Sequence, residues 1–279
     1  MEYTIPVFAR FQWLNHPLVR KVLEPHFRYQ GKGRRGYDKT TLFLWLIYKQ
    51  LYGCSYRDLE SVSGIDHSTF IKFRARMKKR MPVLFVSLVS KVLSRVKKLN
   101  LILDSSFVET YSKRDEEGSG YSGYKLKNGF KTHQIIDYQS RMPILQCASS
   151  GNVADITAGK LLLCRAPPTL PVKSFAADKG YDSEYFVHDI RQKWRKARVA
   201  IPVRRKPGGK PGETNGREAE RTTNRTLYRR RSEIERHFSR AKRVYHLGEE
   251  RTRHFENFRA NAYLTSCMAI LEWLSKQPA

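Results

Sequence analysis

The chain has 279 residues, enough to bury a sizeable core in one or two domains. Lys and Arg number 53 against 26 Asp and Glu, and the net charge of +27 implies a polyanionic partner, nucleic acid ahead of a membrane surface. Secretion, membrane spanning and zinc binding are not expected: MEYTIPVFARFQWL is no signal peptide, the apolar run Leu42 to Tyr48 is too short to span a bilayer, and Cys54, Cys147, Cys164 and Cys267 form no C-x-x-C pair and read as buried small side chains.

In chain order, residues 1 to 36 begin with an apolar and aromatic segment (Phe8, Phe11, Trp13, Leu14, Leu18, Val22, Leu23) that reads as a short helical arm. The chain then turns basic at QGKGRRG. Asp38 can cap a buried helix, KTTLFLWLIYKQLY, that Gly53 stops. Ser55 and Asp58 stand at capping-box spacing ahead of a second helix ended by Gly64. Asp66 can cap a third, HSTFIKFRARMKKR, with Phe70, Phe73 and Met77 on its apolar face. Two short helices joined by a Gly-containing turn, the second basic, match a helix-turn-helix over about residues 55–80, with Lys72, Arg74 and Arg76 as DNA contacts. Pro82 is expected to open a separate connector helix over residues 82–98.

From residue 99 the pattern turns strand-like. LILDSSFVET is apolar and β-branched, the Gly- and Ser-rich stretch up to Gly129 reads as a loop, and KTHQIIDY and MPILQCASS form a hairpin. ITAGKLLLCRA reads as a helix, KSFAADKGY as a buried strand ending in a loop, SEYFVHDIRQKWR as a helix capped by Ser183, and ARVAIPV as a strand. This order predicts an α/β fold in which a mixed sheet is flanked by helices, preceded by an all-α domain. The expected domains are residues 1–98 and 99–279, with an exposed basic loop at 204–221 and a last apolar helix from about Asn257 to Leu274.

The stretch YRRRSEIERHFSRAKRVY, Tyr228 to Tyr245, contains neither Pro nor Gly and predicts one helix. At about 100° per residue, Leu227, Ile234, Phe238, Ala241 and Tyr245 make a narrow apolar stripe. Tyr228, Arg231, Glu235 and Lys242 make a polar stripe beside it, while Glu233 points elsewhere.

Asp104 ends the apolar run LIL and Asp178 ends FAA, so the two carboxylates can meet at the ends of neighbouring strands. Glu235, on a helix crossing that edge, would be the third. Three carboxylates from separate elements suit paired Mg²⁺ ions, which prefer hard oxygen ligands. By spacing alone each Asp also fits a turn or cap, and Asp182, Asp137, Asp155 and Glu109 are competing candidates.

Asp178 lies in ADKGYDS, and Tyr228, Arg231, Glu235 and Lys242 form Tyr-x2-Arg-x3-Glu-x6-Lys. With LILDSS, these motifs resemble the DDE transposases of bacterial and archaeal insertion sequences, in the group with the YREK signature (insertion-sequence-four/five type). The resemblance covers about residues 38–276, and Gly180 and Tyr181 match the residues that follow the second Asp in that family. It implies an RNase H-like catalytic fold, Asp104, Asp178 and Glu235 as the catalytic and metal-binding triad, and Mg²⁺ as cofactor with Mn²⁺ able to substitute. Tyr228, Arg231 and Lys242 would contact phosphates of the transposon end. The implied partners are double-stranded DNA, as transposon ends and target, and a second copy in a dimeric synaptic complex, with the protein on the nucleoid in the cytoplasm and not at a membrane. The implied activity is binding of terminal inverted repeats, nicking of 3′ ends and strand transfer. Only 57 positions separate Asp178 from Glu235, which leaves out the large β-strand insertion of some relatives. Two other readings stand beside this one: an inactive or domesticated DNA-binding regulator, and a structure-specific nuclease that cleaves without joining. The geometric expectation is that the three carboxylates lie within metal-bridging reach and that Glu233 faces away.

Overall fold

The computed structural model describes residues 4–28, 36–203, 225–248 and 253–277. By packing, one unit holds the chain up to Val92, the stretch that begins at Ala241 and the last helix, while the other runs from Leu93 to Arg240 and includes Phe255. The expected domain boundary at 98/99 lies near the first of these divisions, and the last helix belongs to the N-terminal unit.

In the first unit, local signals decide most helix ends. A 3₁₀ turn, Ala9–Asn15, leads into α1 (Pro17–Phe27), which opens on Pro17 and is capped by His16. Asp38 accepts the amides of Thr40 and Thr41 to start α2 (Lys39–Tyr52), and Gly53 ends it at φ 61°. The left-handed region is open to Gly at no steric cost. The Ser55 and Asp58 capping box starts α3 (Tyr56–Ser63), and Gly64 ends it at φ 69°. Asp66 then accepts the Ser68 amide at the start of α4 (His67–Leu93).

Pro82 opens no new helix; it lies inside α4, which runs unbroken for 27 residues. An interior Pro costs roughly 3 kcal/mol. Met77, Met81, Leu84, Phe85 and Leu88, on both sides of it, are all buried, and a fully buried side chain of this size contributes about 1.5–3 kcal/mol. Burial therefore outweighs the local preference. The last helix, α9 (Phe255–Ser275), is buried on most of its surface; Asn261 accepts a hydrogen bond from Arg74 at 2.7 Å, and the rings of Tyr263 and Phe85 lie 5.4 Å apart.

The second unit is built on a six-stranded sheet. Its strands are β1 (Leu99–Glu109), β2 (Gly120–Ser122), β3 (Lys127–Asp137), β4 (Pro143–Ser150), β5 (Val172–Ala177) and β6 (Arg198–Ala200). β1 is central, antiparallel to β3 on one side and parallel to β5 on the other; β6 extends the sheet beyond β5, and β2 and β4 both pair with β3. The stretch expected to be all loop thus contributes β2. Leu101, Ile102 and Leu103 are all buried, as a central strand covered on both faces requires. A Cβ on Gly159 of α5 (Asp155–Arg165) would meet Leu103, and the Phe175 ring meets that of Phe186 of α6 (Glu184–Lys193) edge-on, so these helices cover the face of the odd-numbered β1 residues. Ser183 stands at the N-cap of α6 but makes no side-chain cap.

The opposite face carries Ile102, Ile136, Ala176 and Ala200 in one buried cluster with Leu227, Ile234 and Phe238. The helix expected over Tyr228–Tyr245 is in two pieces, α7 (Arg225–Arg229) and α8 (Ser232–Arg243). Between them the backbone tightens into i→i+3 bonds, Arg230 N to Leu227 O at 3.2 Å and Arg231 N to Tyr228 O at 3.0 Å. Leu227 before the break and Ile234 after it still reach the same cluster. The chain passes from the second unit to the first within α8, after Arg240. The expected loop at 204–221 lies outside the described residues. All four cysteines are free; Cys147 and Cys267 are buried as expected, but Cys164 is exposed.

Candidate active site

Sheet register brings the first two acids together. Leu103 pairs with Ala177 in the parallel β1 and β5 ladder, so Asp104 and Asp178 are the next residues on adjacent strands. Neighbouring strands lie about 4.8 Å apart. Side chains alternate along a strand, so Asp104 shares its face with Ile102 and Asp178 shares its face with Ala176. That is the face on which α7 and α8 dock through Leu227, Ile234 and Phe238. Glu235, the neighbour of Ile234, is thereby carried to the same edge.

The three acids meet around one cation. Arg231 lies 3.0 Å from Asp104 Oδ2, 4.0 Å from Asp178 Oδ2 and 2.8 Å from Glu235 Oε1. Asp104 is the most enclosed acid of the three, its side chain 18% exposed against 39% for Asp178 and 58% for Glu235. Burial pushes the Asp104 carboxyl up to about 6, against the pull of the Ser105 amide and of Arg231, with Asp178 and Asp155 adding to the rise. Burial disfavours the charged form of Arg231, but Asp104, Tyr228, Asp178 and Glu235 outweigh it and hold the guanidinium charged. Asp178 also accepts the Gly180 amide at 3.3 Å, capping a 3₁₀ turn, Lys179–Tyr181.

The three carboxylates are drawn together by their shared contact with Arg231. Among the described residues, the group whose three ligand atoms all fall within 4.8 Å of one another is Glu60, Asp66 and His67. Those residues are engaged locally: Asp66 caps α4, and Glu60 holds His67 Nδ1 at 2.8 Å. Around Arg231 the guanidinium offsets the repulsion that three neighbouring carboxylates would otherwise exert on one another.

The other expected residues divide. Tyr228 packs on the apolar cluster, and the Arg231 guanidinium carbon lies 5.9 Å from its ring centroid. Glu233 takes no part in the acidic cluster; its carboxylate is held by Arg141 and Arg236. Lys242 lies seven residues beyond Glu235 on α8, past the point where the chain enters the first unit. Lys72 and Arg76 are exposed on α4. Arg74 is turned inward, donating to Tyr56 Oη at 3.0 Å and to Asn261. At about 100° per residue, position 74 lies some 160° from both 72 and 76, which explains the opposite orientation.

A supporting network on the other side of β1 did not emerge from the sequence. Asp155 Oδ1 accepts the Ser105 hydroxyl and the Lys131 ammonium, both at 3.0 Å, and the buried His133 Nδ1 lies 3.8 Å away. Lys131 and His133 lie two residues apart on one face of β3, and His133 pairs with Ser105 across the ladder. The network's signal in the sequence is the spacing K-x-H within a strand, whereas Asp155 by spacing alone is a rival to the triad.

The family defined by the transposase DDE domain matches residues 96–271. The chain belongs to the DDE transposase family. The match includes Asp104, Asp178, Arg231 and Glu235 and leaves α1 to α4 outside it. Among solved structures, this chain is similar to a piggyBac transposase synaptic complex with hairpin DNA, at 12% identity and TM-score 0.41, covering 75% of this chain and 53% of that one. A pre-cleavage Mos1 transpososome matches at 9% identity and TM-score 0.23, covering 90% and 82%. The chain spans about half the length of the piggyBac chain. No curated protein matches it by sequence. No described helix of this chain is long and apolar enough to cross a membrane.

Proposed function

We propose that this chain is a DNA transposase that binds the terminal inverted repeats of its element, nicks their 3′ ends and joins the freed ends to target DNA. The observation that carries the reading is the convergence of Asp104, Asp178 and Glu235, from two strand ends and a helix, on the guanidinium of Arg231 inside the matched family domain. The strand order also fits the RNase H-like fold that such chemistry uses: a central strand with an antiparallel partner on one side and parallel strands on the other.

The donor set suits Mg²⁺, with Mn²⁺ as a substitute: the ligands are carboxylate oxygens only, and the most enclosed of them, Asp104, is destabilised as an anion unless a cation faces it. Asp104, Asp178 and Glu235 would hold the ions. Ions held there would supply Lewis-acid chemistry to a phosphodiester, lowering the barrier both for an attacking and for a leaving oxygen. The chain's own residues prepare the site. The Ser105 amide holds Asp104 Oδ1 at 2.8 Å and fixes its orientation. Arg231 neutralises the acids and, with Tyr228 and Lys242, would bind phosphate of the transposon end, because Arg pairs with phosphate oxygens as readily as with carboxylates. No covalent protein nucleophile is required. A dimer in the synaptic complex, a helix-turn-helix formed by α3 and α4, and a cytoplasmic site of action on the nucleoid complete the proposal.

The test uses DNA bearing the inverted repeats that flank the gene, incubated with the full chain in Mg²⁺ or in EDTA. Metal-dependent 3′ nicks followed by joined products are expected. A chain that shifts the DNA but never nicks it would be a regulator, and one that cleaves without joining would be a nuclease; either result overturns the proposal.

A further inference from the structure

A groove of about 1160 Å³ runs between α1, the start of α2 and α4. Its floor includes Phe27, Leu42 and Phe73, which are buried, and its rims carry charge. Six cations line it, Arg20, Lys21, Arg28, Lys39, Lys72 and Arg76, against two acids, Glu24 and Asp38.

Two of these charges are already committed. Arg20 donates to Asp38 at 3.1 Å and to Thr41 Oγ1 at 3.2 Å, so it builds the wall, and Asp38 spends its remaining capacity capping α2. Lys21 and Arg28 on one rim, and Lys72 and Arg76 on the other, are exposed and make no ion pair among the described residues. Lys72 and Arg76 stand four residues apart, about 6 Å along α4. Like charges at that spacing cost a few tenths of a kcal/mol unless something neutralises them. Glu24, on α1 between Lys21 and Arg28, offsets part of that rim's charge, but cations remain in excess, and two rows of them fit a run of phosphates better than a single anion.

We infer that this groove holds the sugar-phosphate backbone of duplex DNA, with Lys21 and Arg28 gripping it from one side and Lys72 and Arg76 from the other. The inference rests on the transposase reading and goes beyond it. It adds α1 to the DNA-binding surface and removes Arg74, which is occupied with Tyr56 and Asn261. Contacts of this kind position the duplex and do not read its bases.

The experiment measures binding of the full chain to an inverted-repeat duplex and to a scrambled duplex, by fluorescence anisotropy from 50 to 200 mM salt. Each phosphate contact adds about 0.9 to the slope of log affinity against log salt. The double variants Lys21→Gln/Arg28→Gln and Lys72→Gln/Arg76→Gln are each expected to lower that slope by about 2 and to weaken both duplexes alike. Arg95→Gln/Lys98→Gln removes two exposed cations outside the groove and should leave the slope unchanged. Far-UV circular dichroism checks that the variants fold, which is expected because all four groove residues are exposed. If the groove variants keep the wild-type slope, or the control lowers it equally, the inference fails while the transposase reading stands. Displacement of DNA by an acidic peptide at equal phosphate and carboxylate concentration also overturns it. If the wild-type chain binds neither duplex, the transposase reading itself fails.

Discussion

Replacing Ile234 with Ala tests whether the apolar cluster under α8 is what brings Glu235 to the strand ends. Ile234 is fully buried, in one cluster with residues from four strands and both helices: Ile102, Ile136, Ala176, Ala200, Leu227 and Phe238. Buried Ile→Ala changes cost about 2–5 kcal/mol, the transfer of the lost methylenes plus the cavity they leave. The upper half of that range applies, because a cavity bounded by a hydrogen-bonded sheet collapses poorly. Hydrogen exchange of β1 amides reports the opening of this unit directly, and a loss of about 3.5–5 kcal/mol would speed it by roughly 370- to 4,600-fold in the regime where exchange follows the opening equilibrium. Arg236→Ala, an exposed change two residues away, should stay within about 0.5 kcal/mol of wild type. If Ile234→Ala speeds β1 exchange less than about fivefold, roughly 1 kcal/mol, then α8 is not held by this cluster and another contact must carry Glu235 to the site.

Gly129→Ala would place a Cβ against Val108 O and the Phe107 ring, so β1 and β3 must separate at their far end. A loss of about 1–3 kcal/mol is expected in urea denaturation, and an unchanged midpoint would contradict the register. In the first unit, Tyr245 donates to the buried Glu272 carboxylate at 2.5 Å. Tyr245→Phe leaves that oxygen without its phenol donor and should cost about 1.5–3 kcal/mol, measurable as a drop in thermal midpoint. Burial pushes His133 down to about 4, so the folded chain refuses a proton that the unfolded chain accepts from about pH 6.5 downward. Its contribution is present above that pH and drains away as pH falls toward 4. Asp104, pushed up to about 6, works in the opposite direction over the same window, so the readout is the difference between wild type and His133→Asn. The variant should lose less stability than wild type between pH 6.5 and 4, and parallel curves would sink the argument.

How far the sequence disclosed the site can be judged residue by residue. Asp104 and Asp178 were readable because each follows a short apolar run, and such runs in a parallel ladder end side by side, as Leu103 and Ala177 do. The apolar phasing of Leu227, Ile234 and Phe238 likewise foretold the docking face of Glu235. The place of Arg231 was not readable. Its i,i+4 spacing to Glu235 was visible, but its reach to Asp104 depends on the break between α7 and α8, which no Gly or Pro marks. Pro82 misled in the opposite sense, since a strong local signal lost to buried side chains on both sides of it. Arg74 was grouped with Lys72 and Arg76 by charge alone, whereas helical phase separates it from them.

The central claim is that Asp104, Asp178 and Glu235 act together as one metal-dependent centre on DNA. The most direct measurement compares Asp104→Asn, Asp178→Asn and Glu235→Gln with wild type on inverted-repeat DNA in Mg²⁺, following duplex binding and 3′ nicking in the same reactions. Each variant should bind the DNA and lose nicking and strand transfer to below the detection limit. Nicking at the wild-type rate by any one of the three would remove that residue from the centre and contradict the account.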